Sequence, residues 1–215
     1  MIYPVYWPRF LQQLLLPKAW CHQPSSTLSL YLTFDDGPIP VVTPWVLEQL
    51  EKYEAKATFF CVGANVQKYP AIYEQVLVGG HQVGNHTQQH SNGWTTSTQT
   101  YLQEVTTASQ WIDSPLFRPP YGRLTPWQSY FLRQKGYQLV YWEVLAGDFD
   151  PSISWEKCLQ NVLKHSQTGS IVVLHDSQKA WPHLKEVLPR LLEHYHQKGY
   201  QFKALPTPQA LLEKQ

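Results

Sequence analysis

The chain is poor in charge, in cysteine and in long apolar runs, and each shortage excludes something. Charged residues make up 15% of the 215 positions and nearly cancel, leaving a net charge of +1. That leaves no basic footprint for nucleic acid or an anionic membrane surface. The three cysteines, Cys21, Cys61 and Cys158, are odd in number and far apart, with no Cys-x-x-Cys. Neither a disulfide framework nor a thiolate zinc site is expected. Cys61, inside the apolar run Thr58-Phe59-Phe60-Cys61-Val62, reads as a small buried hydrophobe. No apolar run approaches the roughly 18 residues a transmembrane helix needs. Residues 1–18 carry a short apolar patch (Phe10-Leu11, Leu14-Leu15-Leu16) but lack the basic start, continuous apolar stretch and small-residue cleavage site of an export signal. The cytoplasm is therefore the default compartment.

What is abundant is aromatic: 9 Trp and 13 Tyr. Ring faces pack against the C–H faces of pyranoses, and they fill a large core equally well. The patterning is regular. From residue 28 onward, β-branched and aromatic runs at 28–34, 57–62, 81–84, 116–118, 137–145, 170–175 and 200–205 each precede a stretch with helical character. The Thr-Pro pairs at Thr43-Pro44, Thr125-Pro126 and Thr207-Pro208 read as N-cap and first helical position. Helices are expected from there, and at 70–78, 98–112, 154–165 and 182–198, the last carrying Pro189 and an expected kink. Seven β/α units in series imply a parallel sheet, open and doubly wound or closed as a barrel. No glycine-rich phosphate turn follows the first strand, which argues against a nucleotide site. Residues 1–27 are expected to be a lead-in segment packed across the outside of a single domain, 28–215.

The polar clusters all follow strands. They are Asp35-Asp36, then His86 and His90 within Asn85-His86-Thr87-Gln88-Gln89-His90, then Arg118-Pro119-Pro120-Tyr121-Gly122, then Asp148-Phe149-Asp150, and Leu174-His175-Asp176. In a parallel α/β barrel the C-terminal strand ends share the face that carries the active site. A carboxylate pair at a strand tip is held rigidly and can be aimed, although an Asx-type turn uses the same residues. His86 and His90 are four apart, a spacing that brings both imidazoles to one side of a helical turn. With one carboxylate of the Asp pair they make a His-His-Asp set with open positions for water, as a catalytic metal site requires. The other Asp is then free to act as base. Trp94, Trp127, Trp142 and Trp181 are candidates for lining a sugar groove. His22, His81, His165, His183, His194 and His196 show no partner pattern, and Asp150 and Asp176 read as turn or cap residues.

These motifs, in order from Thr33-Phe34-Asp35-Asp36-Gly37 to Leu174-His175, resemble the polysaccharide deacetylases of carbohydrate esterase family 4, which share the NodB-type catalytic domain. The resemblance implies a distorted, TIM-barrel-like (β/α) barrel of about seven parallel strands. It also implies a metal-dependent hydrolase that removes N-linked acetyl groups from N-acetylglucosamine-containing glycans, peptidoglycan or chitin-type oligomers. An O-acetyl esterase on polysaccharide and a non-catalytic sugar-binding domain are the alternatives. The resemblance makes Asp35 the general base. Asp36, His86 and His90 become ligands of one divalent metal, zinc first, with cobalt or nickel possible. Arg118 would orient Asp35, and the Tyr121 N–H would bind the oxyanion. His175 would be the general acid, set by Asp148. Leu174 would wall the acetyl pocket, with Pro119, Pro120, Tyr121 and Phe149 beside the substrate. An acetylated glycan is the implied partner and a monomer the expected assembly. The family mostly acts on the cell envelope or outside the cell. The fourth motif usually reads Asp-x-x-Asp-Trp. Here Leu145 replaces its first Asp and Phe149 its Trp, while Asp148 is kept, so an altered pocket wall is expected.

Overall fold

The computed structural model describes residues 4–208. Helix α1 (Arg9–Leu15) precedes strand β1 (Ser29–Asp35), α2 (Val42–Glu51), β2 (Thr58–Cys61), α3 (Gly63–Lys68), α4 (Pro70–Val78) and β3 (Gln82–Asn85). Then come α5 (Thr98–Ala108), β4 (Leu116–Phe117), a 3-10 turn (Pro120–Gly122), α6 (Pro126–Gln134), β5 (Gln138–Leu139) and β6 (Val144–Leu145). Helix α7 (Trp155–His165), β7 (Ile171–His175), α8 (Trp181–Gln197) and β8 (Gln201–Phe202) complete the order. Seven strands lie side by side as β5-β4-β3-β2-β1-β7-β6, with β8 pairing the start of β1, and every strand pair is parallel. The strands curl into a (β/α) barrel.

The central strand β1 is buried along its whole length, as expected for a parallel sheet covered on both faces. Its alternate residues feed two cores. Leu30, Leu32 and Phe34 join Phe59, Val172, Leu174, Leu184 and Leu188 between sheet and helices. Tyr31 joins Phe60, Leu116, Val140, Ile171 and Leu205 inside the barrel. Alternation therefore aims Thr33 and Asp35 inward too, and the register pairs them with Val173 and His175.

Several local expectations are corrected. Helix α2 starts at Val42, after Val41 at φ 70°, because the Thr43 hydroxyl is used elsewhere. It accepts from the Ile39 N–H at 2.9 Å and donates to Asp176 Oδ2 at 2.6 Å. Thr125 does cap α6, with a full capping box on Gln128. Helix α8 continues through Pro189. The helix read from Thr207-Pro208 lies, past Pro208, outside the described residues. The run 137–145 splits into β5 and β6, the two edge strands of the sheet.

The lead-in fills that gap. Tyr6 bridges Val144, Trp20 bridges Val140 and His22 bridges Ser170. The Leu145 N–H donates to Val5 at 2.8 Å, and the Tyr141 N–H donates to Trp20 at 2.7 Å. The segment read as packed across the outside thus takes up backbone groups that the two edge strands would otherwise leave unpaired.

Candidate active site

All five polar clusters emerge at one end of the barrel. Asp35 is the last residue of β1 and His175 the last of β7, side by side in register. Asn85 ends β3, and its Oδ1 accepts from the Thr87 N–H at 2.9 Å, starting the loop that carries His86 and His90. That loop is not the helical turn the four-residue spacing suggests. Thr87 and His90 have φ of 64° and 56°, and the two rings converge by loop geometry, with centroids 5.0 Å apart. Asp36 (φ 83°) and Tyr121 (φ 59°) also sit in the left-handed half of backbone space. Such conformations cost of order 1–3 kcal/mol each in non-glycine residues and persist where surrounding contacts enforce them.

Asp36, His86 and His90 present one donor atom each, all within 4.8 Å of one another. His86 is buried, and its Nδ1–H donates to the Arg118 carbonyl at 2.7 Å. That bond sets the tautomer and leaves the Nε2 lone pair facing Asp36 Oδ1 at 3.8 Å, while His90 Nε2 lies 3.1 Å from the same oxygen. Asp36 Oδ1 is buried and receives no hydrogen bond. Lone pairs converging on one point repel unless a cation lies between them. Donors roughly 2.0–2.2 Å from a tetrahedral zinc ion stand about 3.3–3.6 Å apart, so the set fits a divalent metal. Burial holds the His86 imidazole down at about 4, against the opposing pull of Asp35, which keeps it a neutral ligand. Burial pushes the Asp36 carboxyl up, but His90, His175 and His86 together outweigh it and hold it well below the usual range.

Two braced groups flank this set. Arg118 is fully buried, its guanidinium 4.1 Å from the Phe60 ring centroid. Its NH1 donates at 2.7 Å both to Asp35 Oδ1 and to the Thr33 hydroxyl, and its NH2 donates to the Tyr141 carbonyl at 3.0 Å. On the other side Asp148, with no exposed surface, takes both the backbone N–H and the Nδ1–H of His175 at 2.8 Å. Burial pulls the His175 imidazole down, and Asp148 with Asp36 and Asp35 more than reverses this, to about 9.

The likeness to known proteins agrees with this geometry. The polysaccharide deacetylase family model matches residues 22–140, more than half of the chain. The chain belongs to the polysaccharide deacetylase family. A peptidoglycan-N-acetylglucosamine deacetylase of Bacillus cereus is 34% identical over 187 residues, covering 83% of this chain and 87% of the relative. A chitooligosaccharide deacetylase of Azorhizobium caulinodans is 35% identical over 156 residues, 69% of this chain and 73% of its own. Among solved structures, a peptidoglycan N-acetylglucosamine deacetylase in complex with a naphthyl-substituted N-hydroxybenzamide superposes with a TM-score of 0.81 at 28% identity. It covers 88% of this chain and 91% of its own.

Within this deacetylase, some residues stand apart from the places read for them. Leu174 is fully buried in the outer core, on the face of β7 opposite His175. Strand alternation instead puts Val173 on the inner face, beside Thr33 and in line with His175. Pro119 and Pro120 are buried, while Tyr121 is 61% exposed with its ring 4.7 Å from that of His90. The Phe149 and His175 rings meet edge-to-face, with centroids 5.0 Å apart. Leu145 is buried where the lead-in joins β6.

Of the tryptophans, Trp181 packs half-buried against the outer core, edge-on to Trp45, and Trp142 lies under Gly122, whereas Trp94 and Trp127 are exposed. Sequence reasoning missed Thr33 and His183, whose Nδ1–H donates to the Asp148 carbonyl at 2.9 Å. It also undervalued Asp176, a buried carboxylate that accepts from the Gly37 N–H at 3.1 Å and pins the turn after Asp36. Burial, opposed by the Thr43 hydroxyl and helped by Asp36, pushes that carboxyl up to about 8. The adjacency of Asp176 to His175 was the one available signal. Among the described residues no helix is long and apolar enough to cross a membrane.

Proposed function

We infer that the protein removes N-linked acetyl groups from N-acetylglucosamine-containing glycans and depends on a divalent metal to do so. Asp36, His86 and His90 would hold the metal, which when bound polarises the acetyl carbonyl and makes a water acidic enough to attack. The chain's own residues divide the proton work. Asp35 is the base. Arg118 engages its Oδ1, so the other oxygen takes the water proton as the water oxygen bonds to the carbonyl carbon.

The turn at 119–123 is closed by the N–H groups of Gly122 and Arg123, and its bonds leave the Tyr121 N–H for the developing oxyanion. His175 is the acid. With Nδ1 tied to Asp148, its Nε2 delivers a proton to the nitrogen as the C–N bond breaks, releasing amine and acetate. The proton gained by Asp35 and the one lost by His175 balance over the cycle. Val173, Phe149 and Tyr121 would border the acetyl group and its sugar, and Pro119 and Pro120 would stiffen the turn beneath them. Zinc suits two neutral imidazoles and a carboxylate, and cobalt or nickel are accepted by the same ligands.

One observation supports this reading above the others. Two proton-transfer groups, each fixed by its own buried partner, flank a three-donor set whose lone pairs face one another. A non-catalytic sugar-binding domain has no use for that double bracing. The test is acetate release from N-acetylated oligomers together with elemental analysis. Asp35→Asn is expected to keep the metal and lose most turnover, and Asp36→Asn and His86→Ala to lose the metal. Equal metal loss in Asp35→Asn and Asp36→Asn would undo the division of roles.

A further inference from the structure

Next to the metal-ligand set a row of side chains runs from Tyr121 out beyond the groups that move protons. The Tyr121 ring, in contact with the His90 ring, is followed by the Arg123 guanidinium 5.9 Å from its centroid. Arg123 in turn lies 4.8 Å from the centroid of the Trp94 ring. Trp94 is 65% exposed, yet it is held in place. Its indole N–H donates to the Leu124 carbonyl at 3.3 Å, and its backbone N–H donates to Asn92 Oδ1 at 3.0 Å. Behind it the fully buried Gln128 amide donates to the Gly93 and Thr96 carbonyls at 2.9 and 3.0 Å. Gly93 touches the other loop so closely that a Cβ there would stand 2.3 Å from the Arg123 carbonyl oxygen. The loop after His90 and the loop after Arg118 are thus joined into one platform that holds an indole out toward solvent.

Arg123 supplies the charge on this platform. Among the described residues the arginine ion pairs are those of Arg9, Arg118 and Arg190, and Arg123 has none. A guanidinium held over aromatic rings keeps its N–H edge for a planar acceptor, and a carboxylate matches that fork. The indole beside it offers an apolar face to a pyranose ring, as aromatic side chains do for flat apolar surfaces. A neutral chitin-type chain would use the ring and leave the cation unmatched.

We propose that Trp94, Arg123 and Tyr121 form a subsite for a carboxylate-bearing sugar next to the N-acetylglucosamine unit being deacetylated. The subsite makes peptidoglycan-type strands, whose alternate sugars carry a lactyl group with its carboxyl free or extended by a peptide stem, the preferred substrate class. This rests on the deacetylase reading above. The carboxylate is either the free lactyl group or one on an attached peptide, so both are compared.

The experiment uses metal-loaded protein and four tetrasaccharides. These are a peptidoglycan-derived one with free lactyl carboxylates, the same with those carboxylates amidated, one bearing peptide stems, and the N-acetylglucosamine tetramer. Wild type is expected to favour the free acid over its amide by about tenfold in kcat/KM, the size of one exposed charge-assisted hydrogen bond. Arg123→Gln should bring that ratio near one, and Arg123→Lys should keep part of it. Trp94→Ala should lower acid and amide together. The peptide-bearing substrate tells whether the stem carboxylates replace the lactyl one. An acid-to-amide ratio near one in wild type, or one unchanged in Arg123→Gln, overturns the subsite. If wild type releases acetate from none of the four, the deacetylase reading has failed instead. Calorimetric binding of acid and amide to wild type and Arg123→Gln then decides the subsite alone: a preference lost in the variant upholds it, and equal binding overturns it.

Discussion

Among the described residues two histidines give Nδ1 to a carboxylate with no exposed surface, one at each end of the barrel. His175 meets Asp148 at 2.8 Å and His22 meets Glu143 at 2.9 Å. By distance and burial they are nearly the same pair. They differ in what else is bound. Glu143 Oε2 also accepts from the Ser170 hydroxyl at 2.7 Å, Oε1 accepts from the Gln167 amide at 2.8 Å, and the Arg9 Nε lies 3.5 Å from Oε1. The Arg9 NH2 stands 3.0 Å from the second ring nitrogen of His22. Every valence there is taken, and the pair fastens the lead-in to the starts of β6 and β7. At the other end no hydrogen bond among the described residues engages His175 Nε2, which is left to the cleft. A histidine–carboxylate pair is a staple when saturated and a reagent when one nitrogen is spare.

The largest effect expected from breaking this contrast is on rate. His175→Ala should slow amide cleavage by roughly 10²–10⁴-fold and slow an activated aryl acetate, whose leaving group needs little protonation, much less. Asp148→Asn should show the same selectivity more mildly. His22→Ala should leave the amide-to-ester rate ratio where it is in wild type. A His22→Ala ratio that falls as far as that of His175→Ala would erase the distinction.

Stability reports on the other pair. Glu143→Gln gives the buried Ser170 hydroxyl and the His22 ring a neutral amide in place of the carboxylate they share, and a buried group left short of its partner costs about 1–3 kcal/mol. Urea denaturation of Glu143→Gln should show a loss of that order, with kcat unchanged where the variant remains folded.

Acid and base should act on the two pairs from opposite sides. For the metal-free protein, His175 rises from 6.5 to about 9 on folding. Its contribution is therefore full below about 6.5 and is lost as pH climbs through about 9. The Glu143 carboxyl is pushed up by burial but held below 4.5 by His22, Ser170 and Gln167. Its contribution is full above 4.5 and is lost as pH falls through the lower folded value. Melting curves across pH should show Asp148→Asn flattening the alkaline limb and Glu143→Gln the acid limb. The smallest effect belongs to Arg9→Ala. Its side chain is half exposed, and an exposed ion pair contributes about 0–1 kcal/mol.

Much of this was legible in the sequence because it is written locally. Strand and helix signals follow from side-chain type over a few residues. The clusters at Asp35-Asp36, His86 to His90, Arg118, Asp148 and His175 stand where strands end, and a parallel sheet brings all such ends to one side. Tertiary structure alone decided which groups meet and which way they face. His86 and His90 converge through left-handed backbone at Thr87 and His90 instead of through a helical turn. Val173 turns inward and Leu174 outward because the register of β7 on β1 sets the alternation. Trp181 packs half-buried against the core and Trp94 goes to the surface, although both follow a motif. The pairing of His22 with Glu143 spans 121 positions and ties the lead-in to the start of β6, yet neither residue has a neighbour in the chain that announces it. Propensity and periodicity act over the length of one element. The partner of a buried charge is chosen only once the sheet has curled and its two edges need something between them.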